Sequence, residues 1–523
     1  VQISPIAYLW TDPRYVSGGL FQENVLRYLV SKQLGRYGPC MNRQRVFLPR
    51  TIRLLPLVAI IFFSSSGGPY GIESVLSSSG IGMSLVLLIS IPLLLSLPMS
   101  LMNAELGSAL PLEGGFYSWV KIACGPFLGF MEATFSWLAS WLDTALYPVI
   151  FVDYLSIWFP AVARGKHVLF SFFGGNFSID LHWFVAIAVM IPIAYMNIRG
   201  VQIVGRALVA SMVILFGPLM IFIGLGMHNF FTHSTSHFLS PGILPGQSLF
   251  SSAGAGLGIM LWSYIGYDSV TTAGGEIENP SKIYPRALMW NLPLIALSYT
   301  LPILAALASG LHSGDVSKWD NGDFANAGGI LGGAWLKNAL IIGALVAQAG
   351  LFSSFLLCMS RLPFMLAADK YLPSSLGKIS PKTNTPVRAI IVSVCIYAFF
   401  ASLDFTTLID SDMVLTLFAL LLEFVALLVL RYKYPNMKRP FKIKGGWWGA
   451  IGVCITPTLL TAWLLQSTFT TEPLAFWLGI GLSSAGAISY VFLKKYVKRG
   501  QPDAELDLSG VDFGDGLVAN SPR

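Results

Sequence analysis

The chain has 523 residues, 54% of them hydrophobic and only 11% charged, with 33 Lys or Arg against 26 Asp or Glu. Soluble domains carry about 25% charged residues, and the high apolar content together with only five cysteines excludes a disordered, collagen-like or disulfide-framework chain. The apolar residues fall in runs of about 20, the length that a hydrocarbon core about 30 Å thick demands of a helix, so the chain reads as an all-α polytopic membrane protein.

Twelve transmembrane helices are predicted, at 54–79, 82–107, 126–152, 180–198, 205–227, 249–275, 287–311, 337–364, 387–403, 410–430, 447–468 and 474–493. With both termini on one side, the segments on that side hold 29 of the basic residues, and the opposite loops hold only Arg164, Lys166, Lys318 and Lys337. Lys and Arg are retained in cytoplasmic loops, so both termini are assigned to the cytoplasm. The net charge of +7 then belongs to the inner face and calls for no nucleic-acid partner.

Residues 1–52 are read as a cytoplasmic tail; their seven basic residues also suit a transit peptide, but the segment is poor in Ser. The region 53–495 is the transporter-like domain, and 496–523, with Asp503, Glu505, Asp507, Asp512 and Asp515, is read as a disordered acidic tail. Asn176-Phe177-Ser178 is a glycosylation candidate in an outer loop, where His228, His233 and His237 of another loop are read as solvated. Cys40, Cys124, Cys358, Cys395 and Cys454 are expected to be unpaired, and with no CxxC or HExxH motif neither a metal nor a cofactor is expected. A monomer in the plasma membrane is the expected state.

Two predicted spans are interrupted. The first contains Ser64-Ser65-Ser66-Gly67-Gly68-Pro69-Tyr70-Gly71-Ile72-Glu73, and the sixth runs from Tyr264 through Gly266, Asp268 and Gly274-Gly275 to Glu276. Glycine-rich breaks at membrane depth occur where backbone lines a cavity. Breaks at corresponding positions of two five-helix units point to an inverted-repeat transporter with its site near the midplane. The repeats are placed at about 53–227 and 249–430, with two further helices at 447–493. Each break exposes helix ends that favour a cation at the carbonyls and an anion at the amides.

Glu73, Glu132, Asp143, Asp268 and Glu423 fall inside spans, whereas Lys and Arg between Arg53 and Arg431 lie in loops or near span ends. Ionisable groups within the membrane are functional hypotheses by default. Without basic partners these acids must be protonated or neutralised by a bound cation. In the third span Glu132, Ser136, Ser140, Asp143 and Tyr147 follow at intervals of 4, 4, 3 and 4, one polar stripe on an apolar helix. Hydrogen bonding between helices is the structural alternative for this stripe, a structural protonated carboxyl the alternative for Glu423, and neutralisation by a helix N-terminus the alternative for Glu73. Tyr70, Tyr147 and Tyr267 stand beside the breaks or on the stripe, and their ring faces attract ammonium groups.

At these residues the chain resembles the amino acid–polyamine–organocation (APC) superfamily, and within it the polyamine:proton symporters of the plant and protist type. The similar segments are SGGPYGIES, AELGSALPLEGGFYSWV, WLDTALYPVIFVDYL, DSVTTAGGEIENP with YPRAL, TPVRAII, and LEFVALLVLRYKYP, in order across about 54–495. The resemblance implies a five-plus-five inverted repeat (LeuT-like) with broken helices 1 and 6. It implies a substrate site of the backbone from Ser66 to Gly71 (Ser66, Gly67, Gly68, Tyr70 and Gly71) with Tyr267 and Asp268, and Asp143 and Glu423 as the acids met by amines; the residues themselves add Tyr147 to the substrate site and make Glu73, Glu132, Asp143 and Glu423 the proton-coupling candidates. The chain departs from the family pattern at Ser74, at Gly266-Tyr267, and at Glu132, a position that is usually uncharged.

The expected function is import of polyamines of the putrescine and spermidine class, driven by protons. Amino acid uptake is the alternative, with the GGPYG amides holding a carboxylate; a non-transporting nutrient sensor is the alternative of another class. An enzyme is not expected, since no nucleophile–base pair or metal motif lies in the spans.

Overall fold

A computed structural model describes residues 48–172, 177–232, 248–312, 315–320, 322–403, 405–471, 473–498 and 511. Asn176, His233, His237, Cys40 and most of both terminal tails lie outside the described residues.

The chain is mostly helical: α1 (Leu54–Ser65), α2 (Ser74–Ser79), α3 (Ile81–Ala109), α4 (Phe116–Cys124), α5 (Pro126–Ser156), α6 (Leu181–Arg199), α7 (Val201–Thr232), α8 (Leu249–Tyr264), α9 (Pro280–Ala308), α10 (Asp323–Met359), α11 (Arg361–Ala368), α12 (Val387–Phe400), α13 (Phe405–Lys433), α14 (Gly446–Thr471) and α15 (Pro473–Phe492). Among the described residues nine helices are long and apolar enough to cross a membrane, and α1 and α12 are shorter apolar helices. Local sequence sets the ends. Asp180 caps α6 by accepting from the Trp183 amide at 2.9 Å, and Gly200 at φ +121° stops it. Pro126 and Pro280 occupy first-turn positions, where a missing N–H costs nothing.

The first predicted span is two helices, with Ser66–Glu73 between them. The sixth is α8 followed by extended backbone at Ile265 and two single 3₁₀ turns, Ser269–Thr272 and Gly274–Glu276. The eighth, predicted from 337, belongs to a helix that begins at Asp323, is kinked at Gly333, its one residue with non-helical backbone, and stops at Met359. The short helices α4 and α11 were not anticipated. Nor was the hairpin of β1 (Val168–Phe172) and β2 (Phe177–Asp180), which adds strand to an otherwise helical chain. Its strands, five and four residues long, are too short to register beside runs of membrane length.

The helix α5 packs along α13 and α10, and α9 along α3, α7 and α1, so these elements surround both breaks. The breaks touch. Gly266, at φ +97°, has the Ser64 carbonyl where a Cβ would project, so only glycine fits this crossing. The Ser96 hydroxyl donates to the Tyr264 carbonyl at 3.0 Å, and Tyr299 to the Ser263 carbonyl at 2.9 Å, satisfying groups that the end of α8 leaves free.

Basic side chains are fastened elsewhere. Arg361 is fully buried and gives two hydrogen bonds to Glu276, at 2.9 and 3.0 Å. The Glu276 carbonyl accepts from the amides of Thr51 and Ile52 at 2.7 and 2.9 Å, so the last residues of the predicted N-terminal tail belong to the folded body. Asp369 holds both Tyr117 and Lys121. Glu105 ties α3 to the far end of α13: it pairs with Arg431 at 2.8 Å and Arg439 at 3.2 Å and accepts from the Ile443 amide at 2.8 Å. At the other end, helical backbone continues past α15 to Lys498, whose ammonium lies 4.3 Å from the Tyr371 ring centroid and is pushed down to about 8 by burial.

Removing one member of a buried ion pair leaves an uncompensated charge at a cost of about 3–5 kcal/mol. Glu105→Gln is therefore expected to lower the thermal unfolding midpoint of the detergent-purified protein markedly, followed by size-exclusion recovery after heating; an unchanged midpoint would refute the latch.

Candidate functional site

The first break begins where Ser66 turns extended and its amide bonds back to the Phe62 carbonyl at 2.7 Å. Gly68, at φ +76°, donates its amide to Ser66 Oγ at 3.1 Å, and Gly71 donates to Glu73 Oε2 at 2.7 Å. Glu73 also accepts from Tyr154 and, at 3.2 Å, from the Gly322 amide. Three donors on one carboxylate anchor the start of α2 to α5 and to the residue preceding α10.

Between the breaks, α5, α9, α10 and α13 lies a cavity of about 740 Å³, counting space shared with solvent. Of the predicted residues, Ser66, Gly67, Tyr70, Asp143, Tyr147 and Asp268 line it. Gly68, Gly71, Tyr267 and Glu423 are near the breaks or behind the wall but do not line it, and neither do Glu73 and Glu132. On α5 the stripe places Ser136, Ser140, Asp143 and Tyr147 in the wall, while Glu132, fully buried, continues it beyond the cavity and accepts from Ser136 at 2.7 Å.

Asp143 is held from two sides: Oδ1 accepts from Tyr147 one helical turn away and from Trp262 Nε1, each at 2.8 Å. The Tyr147 ring stacks on Trp262 with centroids 6.3 Å apart and packs against Phe355 at 5.3 Å. This wall offers a carboxylate beside aromatic faces, the pairing that desolvated ammonium groups favour. Asp412 adds a second carboxylate from the start of α13, accepting from Thr416 at 3.0 Å. The third, Asp268, lines the cavity just past the second break. No Lys or Arg lines the cavity, and among the described residues none pairs with Glu73, Glu132, Asp143, Asp268 or Glu423.

Sequence reading missed Asp412, Tyr299 and Phe355. A signal existed for the first: Asp412, Thr416 and Glu423 lie at i, i+4 and i+11, one face of a helix. Asp412 escaped because it stands at the start of an apolar run, where a charge usually meets the interface.

The amino acid permease family profile matches residues 54–484. Polyamine transporter RMV1 of Arabidopsis thaliana is 32% identical over 460 residues, covering 86% of this chain and 87% of the relative. A probable polyamine transporter of the same plant is 32% identical over 417 residues, 79% and 78% of the two chains. Polyamine transporter PUT1 of Oryza sativa subsp. japonica is 29% identical over 456 residues, 86% and 80%. With the two helix breaks and the cavity they enclose, these matches place the chain: it belongs to the amino acid permease family of the APC superfamily and is a multi-pass membrane transporter, not an enzyme.

Proposed function

We propose that the chain imports polyamines of the putrescine and spermidine class with protons, by alternating access in a twelve-helix, five-plus-five inverted repeat. Both termini face the cytoplasm, the plasma membrane is the site of action, and the monomer is the working unit. The observation that carries this reading is the cavity's charge: Asp143, Asp268 and Asp412 in the wall, with no basic side chain beside them. Several carboxylates along one cavity suit a ligand with several separated ammonium groups. The membrane potential adds about 2.3 kcal/mol per charge per 100 mV, so import of such a cation is favoured once its dehydration is offset. The relatives named as polyamine transporters support the substrate class.

Amino acid uptake would use free amides of the first break to hold a carboxylate. Here the Gly68 amide is bonded to Ser66 Oγ and the Gly71 amide to Glu73, which weighs against that use. Sodium coupling would place the ion near Ser353 and Ser354. The Ser354 hydroxyl donates to the Ile60 carbonyl at 2.9 Å, and Ser353 accepts from Asn197 at 3.1 Å, so these groups are engaged with the protein itself. That supports protons over sodium.

Proteoliposomes with an imposed pH gradient are expected to accumulate labelled spermidine, with unlabelled spermidine competing far better than leucine or arginine; better competition by the amino acids would overturn the substrate class. Truncating one partner of a desolvated charge pair costs about 2 kcal/mol or more, so Asp143→Asn is expected to reduce uptake about thirtyfold at normal surface expression, checked by uptake per surface-labelled molecule. Asp268→Asn is expected to shift preference from spermidine toward putrescine; an unchanged uptake ratio would remove Asp268 from amine recognition.

A further inference from the structure

At and behind the cavity wall, three carboxyl groups from three elements act on one another, with no basic partner among the described residues. Glu423 on α13 is fully buried, and among the described residues its hydrogen-bonding neighbour is the carboxyl of Asp268, with no N–H or hydroxyl donor on either oxygen. The charged groups that act on it are the carboxyls of Asp268 and Glu132. Glu132 on α5 is also fully buried; Ser136 bonds one of its oxygens, and the other is unpartnered. Asp268 lines the cavity while its Oδ1 is buried and unbonded. A fourth group lies within electrostatic reach of the cluster: the Tyr284 hydroxyl of α9, on a residue only 1% exposed, has no hydrogen-bond partner among the described residues and is acted on by Asp268, Cys358 and Glu423. On the far side Glu132 is neighboured by Tyr117 of α4, whose hydroxyl is spent on Asp369.

We infer that Glu423 and Glu132 store the coupling proton of transport, and that Asp268 links this store to the amine in the cavity. The inference rests on the proton-driven polyamine reading above and names the groups that perform the coupling. Two adjacent carboxylates in a low-dielectric site cannot both be ionised. Glu73, by contrast, has three donors and Asp143 two, and each such bond offsets part of the cost of burying a carboxylate. The donor-poor carboxyls are therefore the ones suited to exchange a proton.

The step is a proton transfer between carboxyl oxygens, with no bond to carbon changed and no electron moved. In the empty site Asp268 and Glu423 share one proton. An ammonium arriving at Asp268 requires its carboxylate, so the shared proton settles on Glu423. Glu132 takes up a second proton from the outer side as the amine binds; when the amine leaves, Asp268 and Glu423 again share their one proton, and the proton on Glu132 departs toward the N-terminal end of α5, so each cycle moves one amine and one proton.

The test uses the full chain in proteoliposomes, comparing Glu423→Gln and Glu132→Gln with wild type by two readouts: spermidine counterflow without a gradient, and accumulation under a gradient of about one pH unit. Such a gradient allows about tenfold accumulation when one proton accompanies each amine. The expected result is counterflow retained within about threefold, with the gradient-driven accumulation lost in at least one variant. A variant that keeps counterflow and the wild-type gradient response in both cases overturns the inference; so does loss of counterflow in both, which would place the residues in amine binding or folding. Wild-type protein without spermidine counterflow would instead refute the proposed function, and wild-type counterflow without any gradient response would refute proton coupling.

Discussion

A peptide group left without a partner in hydrocarbon costs several kcal/mol, and every distinctive feature of this transporter follows from how two interrupted helices meet that demand. In the first break the Ser66 amide turns back to Phe62, and Gly68 and Gly71 spend their amides on Ser66 and Glu73. In the second, the carbonyls of Ser263 and Tyr264 are taken by Tyr299 and Ser96. The breaks cross where Gly266 lies on the Ser64 carbonyl, a contact no other residue permits. The satisfied backbone makes a polar-lined cavity possible at a depth where lipid would otherwise forbid it.

The distribution of charge is the second consequence. Glu105, Glu276 and Asp369 each hold basic side chains, and these pairs join elements that are distant in sequence: α3 to α13, the second break to α11, and α4 to the segment after α11. The acids around the cavity have no such partners. Buried ion pairs are weak sources of net stability but costly to break by half. They therefore serve better as latches than as glue, while the unpaired acids keep their electrostatic capacity for a ligand. Within that acidic set, hydrogen-bond donors make a further division: Asp143 and Glu73 are well supplied, whereas Glu423 has only the Asp268 carboxyl beside it among the described residues.

Glu132 is not an isolated charge on α5. It extends the α5 stripe by one turn past Ser136 and meets a carboxyl of α13. It thus lies where α5 packs along α13 beside the cavity.

Span existence, the two break positions and the α5 stripe were legible in the sequence because each is a local property: hydropathy over a window, glycine in an apolar run, and a helical interval. Even so, local signals missed α4, α11 and the β1–β2 hairpin, whose runs are shorter than the membrane-length segments beside them. The grouping of residues into a site was decided only in three dimensions. Tyr70 and Tyr267 are equally near a break in sequence, but Tyr70 lines the cavity and Tyr267 packs behind it. Glu423 and Asp412 share a helix face, but one is sealed beside Asp268 and the other opens on the cavity with Asp143. The sequence by itself determined that acids without basic partners lie at membrane depth. Only the tertiary structure decided which of them face the cavity and which face one another, because that depends on the rotation of each helix against its neighbours, a property set by packing across the whole fold.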